Sequence, residues 1–229
     1  MRAHWLLAGL LAVGMAAAAD QAASQRAPHD APAAADPSSD FWRGAPAIFA
    51  ANDSRSNPVP GHQTEIRSRW TSQNLYFLFI CPYESLNLKP GPKTTEETNE
   101  LWKWDVAEVF IGSDFQHVRR YKEFEISPQA EWVDLDIDLD APRHEDGWLW
   151  NSGFQAAARI DAAAKIWYGC MRIPYDSVDS RPAAAGNLLR VNFYRSQGAR
   201  PNHKAIAWQP TGQSTFHVPE AFGTLKLVD

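Results

Sequence analysis

The sequence predicts an all-β fold, an antiparallel β-sandwich of the jelly-roll kind. Three observations carry that expectation. Roughly ten short segments beyond residue 70 alternate side chains with a period of two or run apolar on both faces. Prolines and glycines, 16 and 13 in number, fall in the gaps between them and mark turns. No long segment carries helical periodicity, so the strands have sheets rather than helices to pack against.

The chain opens MRAHWLLAGLLAVGMAAAAD. Arg2 supplies a positive start, Leu6 to Met15 a short apolar run, and the alanines at 16–19 a small-residue cleavage site. Residues 1–19 therefore read as a signal peptide, and the protein as secreted or periplasmic. The apolar run is too short to be a membrane span, and no other run is long enough. Residues 20–39 (DQAASQRAPHDAPAAADPSS) hold almost no large apolar side chain and read as a flexible leader. A single domain is expected over 40–229, starting at Phe41 and Trp42.

Within it, Leu75, Phe77 and Phe79 alternate with Tyr76, Leu78 and Ile80, apolar on both faces, as in a central strand. A helical turn is expected in TTEETNELW before Trp102, with Thr95 and Glu97 as start signals. VAEVFIG (106–112) is a second central strand with one charge, Glu108, inside it. YKEFEIS (121–127) alternates. WVDLDIDLD (132–140) puts Val133, Leu135, Ile137 and Leu139 on one face and Asp134, Asp136, Asp138 and Asp140 on the other. Strands follow at 153–160, 165–173, 188–195, 204–209 and 223–228.

The charge balance excludes some functions. There are 27 acidic and 22 basic side chains, a net charge of −5, or −6 once Arg2 is removed. Nucleic acid and anionic membrane surfaces are poor partners for such a chain. The two cysteines, Cys81 and Cys170, each lie late in an apolar strand; the reading leans to two separate buried thiols rather than a disulfide. No CxxCH or CxxC pattern is present, so attached c-type haem and cysteine-held zinc are excluded.

The Asp ladder at 134–140 invites a calcium reading. Alternate residues on a strand are about 6.6–7 Å apart, so the four carboxylates cannot converge on one ion, and a solvated face is favoured. Glu108, Glu123 and Glu125 are the candidates for paired-carboxylate hydrolysis, because they lie on strands that could line a cleft. No GxSxG nucleophile elbow exists. His217 in FHVPE reads as a structural histidine, and haem ligation by Met171 or a histidine has no supporting spacing.

The aromatic content is more telling. The chain has ten tryptophans, nine of them beyond residue 19. Flat rings with a polar edge suit sugar faces and recognition surfaces. Trp102 and Trp104 precede a strand, and Trp208 stands where one runs into a Pro-Gly turn; these are placed to be exposed. Trp148 and Trp150 share a face at a loop rim. Trp70, Trp132 and Trp167 read as core or strand-facing, and Trp42 as packing at the domain's entrance.

At these residues a resemblance emerges. VAEVFI, then YKEFEISPQAEWVDLDID, IWYGCMRIP, RVNFYR and AWQPTGQSTFHVPEAFGTLKL together resemble the family 9 carbohydrate-binding modules and their bacterial family 9-like relatives, within the wider DOMON-like sandwiches. The likeness covers about residues 40–229. It implies a noncatalytic β-sandwich that grips a sugar between two tryptophans, with the strand's Glu on the hydroxyls. The matching residues are Trp102 or Trp104, Glu108 and Trp208, with Arg195 as a further contact. It also implies a structural calcium, whose ligands do not match residue by residue, and a carbohydrate partner, an oligosaccharide or polysaccharide end. Such modules usually accompany a glycosidase, which here would be a separate carbohydrate-active enzyme. The alternatives are a DOMON-type haem-binding domain and a small glycoside hydrolase or lyase using Glu108 and Glu123.

Overall fold

The computed structural model describes residues 20–141 and 148–229. The expected signal peptide, 1–19, lies outside the described residues. The described residues form thirteen strands: β1 (Gln21–Arg26), β2 (Ala47–Ala50), β3 (Asn52–Asp53), β4 (Thr64–Trp70), β5 (Asn74–Pro82), β6 (Val106–Gly112), β7 (Arg120–Ile126), β8 (Trp132–Asp138), β9 (Gln155–Asp161), β10 (Ile166–Pro174), β11 (Leu188–Gln197), β12 (Lys204–Ala207) and β13 (Gly223–Val228). The expected strands from Leu75 onward all form. The helical turn comes later than expected, as a short 3-10 turn over Leu101–Lys103.

One hydrogen-bonded path runs β8-β7-β6-β11-β13-β1-β4-β5-β10-β9 and folds over on itself. Its front half is β8-β7-β6-β11, extended by β12 and β3; its back half is β4-β5-β10-β9, with β2 on β4. The halves face each other across the main core. Phe193 of β11 lies 5.5 Å from Phe77 and 6.3 Å from Phe79 of β5, ring centre to ring centre. Strand alternation dictates which residues go there: Ala107, Val109 and Ile111 of β6, Phe124 and Ile126 of β7, and Leu189, Val191 and Phe193 of β11. Trp70 and Trp167 are wholly buried in the same core.

The leader is the main departure from expectation. Residues 21–26 form β1, parallel to both β13 and β4, and join the two halves. Small side chains make this fit. Ala22 and Ser24 point inward, and Ser68 donates a hydrogen bond to Ser24 Oγ at 2.8 Å. Beyond β1, Asp30 accepts hydrogen bonds from Thr71, Asn74 and Tyr76 at 2.6–2.8 Å. Partial burial opposes ionisation of Asp30, but these three donors hold its carboxyl below the usual range. Ala35, Phe41 and Trp42 then cover Tyr76, Leu78 and Cys170 on the outer face of the back half. An Ala- and Pro-rich composition reads as disorder because it offers little apolar area. This segment is held by backbone ladders and by Asp30, which accepts from three side chains of the back half.

The cysteines are unbonded and buried. Register explains it: Cys81 pairs with Trp167 and Cys170 with Leu78 across β5 and β10, so the two are an odd number of steps apart and face opposite ways. Cys81 lies in the main core and Cys170 under the leader. Burial pushes both thiols up to about 12.

Candidate functional site

The opposite face of the front half is the floor of a half-open cavity of about 750 Å³. Alternation places Glu108 and Phe110 of β6, Glu123 of β7, Leu135 of β8 and Ser196 of β11 toward it. Its walls come from Asn87, from residues 198–205, which bring Arg200 and His203, and from three further segments. Leu101 is fully buried and anchors the 3-10 turn that presents Trp102 and Lys103. Trp148 lies beside β8, where the Asp136 N–H bonds the Trp148 carbonyl at 2.8 Å and Trp148 Nε1 donates to the Asp138 carbonyl at 3.1 Å. The segment 214–217 brings Phe216 and His217. Phe216 stacks on Tyr194 at 4.1 Å, and the His217 ring sits 5.2 Å from Phe110 and 5.6 Å from Trp148.

The floor carries an unusual charge arrangement. Glu108 and Glu125 are directly opposite in the β6–β7 ladder, and Glu123 stands two residues from Glu125 on the same face. All three are buried, with one carboxylate oxygen of each within 4.8 Å of the others. At that separation, and with an effective dielectric of about 20, each pair of ionised groups repels by about 3 kcal/mol. Burial first, and then neighbouring charge, holds Glu108 and Glu125 well above the usual carboxylate range; burial pushes Glu123 up to about 7. Relief is slight. Ser196 makes a long 3.4 Å hydrogen bond to Glu108, and His217 Nε2 lies 4.0 Å from Glu123 while its Nδ1 is hydrogen-bonded with the Tyr121 hydroxyl at 2.7 Å.

Of the residues expected to bind a ligand, the structure brings Trp102 and Glu108 to this cavity. It does not bring the others. Trp208 is 4 % exposed and packs in the main core on Phe193, ring centres 5.6 Å apart. Gly223 makes room for it: a Cβ there would come within 2.6 Å of the indole. Arg195 is fully buried, donating to Thr64 Oγ1 at 3.2 Å and the Pro82 carbonyl at 2.7 Å, so it ties β11 to the back half. Trp104 is half-buried after the 3-10 turn and is not among the lining residues. Trp148 and His217 are functional candidates that sequence reasoning placed elsewhere, at a rim and as a structural histidine. The doubled spacing of Trp148 and Trp150 was the available signal for the first.

Two other sequence readings are settled by position. The Asp ladder is a solvated face: Asp136, Asp138 and Asp140 pair with Lys122, Arg120 and Arg119. Asp134 is the exception, buried and accepting the Ser152 N–H at 2.7 Å. Met171 is in the main core, whereas His217 lines the cavity, so the two cannot flank one haem there.

Comparison with known proteins agrees with this architecture. An "Extracellular protein" of Arthroderma benhamiae is 24 % identical over 182 residues, covering 74 % of this chain and 80 % of that one. A Bacteroides uniformis protein whose name suggests carbohydrate binding superimposes with a TM-score of 0.71 at 15 % identity, over 90 % of this chain and 98 % of that one. A family 9 carbohydrate-binding module of Caldicellulosiruptor kristjanssonii, solved with cellotriose, gives 0.65 at 13 % identity, over 91 % and 93 %. Its glucose complex gives 0.64, also at 13 % identity, over 90 % and 95 %. These structural likenesses establish the fold. The model of the carbohydrate family 9 binding domain-like family matches residues 38–229, and the chain belongs to that family.

Proposed function

We propose that this protein is a noncatalytic module that binds a neutral sugar in the cavity above β6 and β7. The observation that carries the reading is the pairing of walls and floor. Trp102, Trp148 and Phe216 offer rings, while Glu108, Glu123 and Ser196 offer polar atoms beneath them. A sugar ring needs both, because its CH faces pack on indole and its hydroxyls need acceptors when they leave water. Trp102 is the stacking ring and Glu108 the hydroxyl acceptor. Affinity is modest, since a short ligand buries little area and loses many water contacts. The extracellular relative and the N-terminal sequence support a site of action outside the cell.

One observation favours a hydrolase: an oxygen of Glu108 lies within 4.8 Å of one of Glu123, near the roughly 5 Å spacing of a retaining pair. Their arrangement argues against it. Hydrolysis of a glycosidic bond needs carboxyls flanking the bond, and these stand side by side on one floor.

Calorimetry with glucose and cellotriose tests the reading. Wild type binds at least one, and Trp102→Ala, still folded, loses at least tenfold in affinity. No heat at millimolar sugar sinks the proposal. Turnover of a glycan that disappears in Glu108→Gln replaces it with the hydrolase.

A further inference from the structure

We propose that Glu108, Glu123 and Glu125 form a binding site for a hard divalent cation of the calcium class at the cavity floor. The proposal goes beyond carbohydrate recognition and does not depend on it. Four observations support it.

The donor atoms have the right spread. One oxygen from each carboxylate lies within 4.8 Å of the other two. Oxygens bound to one calcium at about 2.3–2.6 Å are at most about 5 Å apart. Partners among the described residues are few: Ser196 makes one long hydrogen bond to Glu108, and Glu123 and Glu125 contact each other. Both oxygens of Glu125 and Oε2 of Glu123 are buried without a hydrogen bond, and Glu125 is 0 % exposed. A buried carboxylate with both oxygens orphaned, beside two others, points to a ligand in a way that an exposed acidic cluster does not.

Charge compensation in direct contact is thin among the described residues, although Lys103, Arg200 and His203 line the same cavity. Among the described residues no lysine or arginine forms an ion pair with the three, and His217 reaches only the edge of Glu123, at 4.0 Å. The Asp ladder one strand away shows the contrast, since Asp136, Asp138 and Asp140 each have a lysine or arginine within 3.1 Å. Finally, the site is accessible and its chemistry is selective. Glu108 and Glu123 border the cavity, which leaves water or hydroxyl oxygens to complete the shell. Three carboxylates with no thiol suit calcium rather than zinc or copper. Each carboxylate keeps a second oxygen, so a cation on the floor and a sugar above it are compatible.

The test uses the whole protein, stripped with chelator, at pH 8, with calcium chloride as the only probe. Calcium at a hundredfold excess over its dissociation constant raises the melting temperature by about 5–10 °C. Glu125→Gln and Glu108→Gln, each checked by near-ultraviolet circular dichroism, lose that rise. Glu125→Gln without calcium melts higher than stripped wild type, because one buried repelling charge is gone. If one variant fails to fold, the other and calorimetric titration of wild type with calcium decide. Absence of calcium binding by wild type at millimolar concentration overturns the proposal. So does a calcium-induced rise that survives in a folded variant, which would place the ion elsewhere. Because no sugar is present, failure here leaves the carbohydrate reading untouched, and failure of sugar binding leaves this one standing.

Discussion

Trp208→Ala and Trp102→Ala separate the two roles that tryptophan plays in this chain. Trp208 is 4 % exposed in the main core, on the face of the front half turned away from the cavity. An indole buries about 150–250 Å², which at about 25 cal/mol per Å² corresponds to ~4–6 kcal/mol. Large-to-small core replacements involving tryptophan cost about 3–5 kcal/mol, in agreement. For a domain of this size each kcal/mol moves the melting temperature by about 2–4 °C, so Trp208→Ala should melt roughly 6–20 °C below wild type. Below that transition its sugar affinity should stay within about threefold of wild type. Trp102 sits half-buried on the cavity wall, so its removal should cost about 1 kcal/mol of stability. Its effect should fall on affinity instead. The assay is thermal denaturation paired with calorimetry on both variants. A Trp208→Ala protein that melts like wild type yet no longer binds sugar would refute the assignment of Trp208 to the core.

Three further outcomes follow from other parts of the molecule. Asp30→Ala removes the acceptor for Thr71, Asn74 and Tyr76 and should lower unfolding stability by about 2 kcal/mol in urea denaturation; no change would mean the leader is not held as described. Burial, then the charge of Asp134, pushes Glu97 up to about 7, above its unfolded value. The folded state therefore binds the extra proton between about pH 4.5 and 7, so this group's contribution to stability falls as pH rises through that window. Glu97→Gln should flatten that part of the stability–pH profile, and an unaltered slope would contradict the shift. Cys81 and Cys170, buried with thiols up near 12, should resist alkylation at pH 8 in the native protein and both react in denaturant; fast native labelling of either would place it at the surface.

The strands from β5 onward were legible because their patterns are local. WVDLDIDLD needs only its own alternation to say which face is wet, and VAEVFIG needs only its apolar run. Glu108, Glu123 and Glu125 could likewise be picked out as charges inside apolar strands. Their convergence could not, because it depends on the register that sets Glu108 opposite Glu125. β1 was hidden for a related reason. Gln21–Arg26 has no hydrophobic pattern of its own, and its partners β4 and β13 lie about 40 and 200 residues away. Trp208 shows the same limit from the other side. A tryptophan before a Pro-Gly turn looks exposed, and only the distant Gly223 opens the slot that buries it. Arg195 was read as a ligand contact for want of its partners, Thr64 and Pro82, which are more than 110 residues away. Local pattern gave the architecture and pointed to Trp102 and Glu108, which line the cavity; long-range packing sets where Trp208 and Arg195 lie.

The most direct measurement is a crystal structure of the protein soaked in cellotriose. A sugar ring is predicted in the cavity above β6 and β7, one face on Trp102 and a hydroxyl within 3.2 Å of a Glu108 oxygen. Sugar bound at Trp208, at the outer face of the back half or anywhere else outside the cavity would contradict the account, as would an empty cavity at saturating ligand.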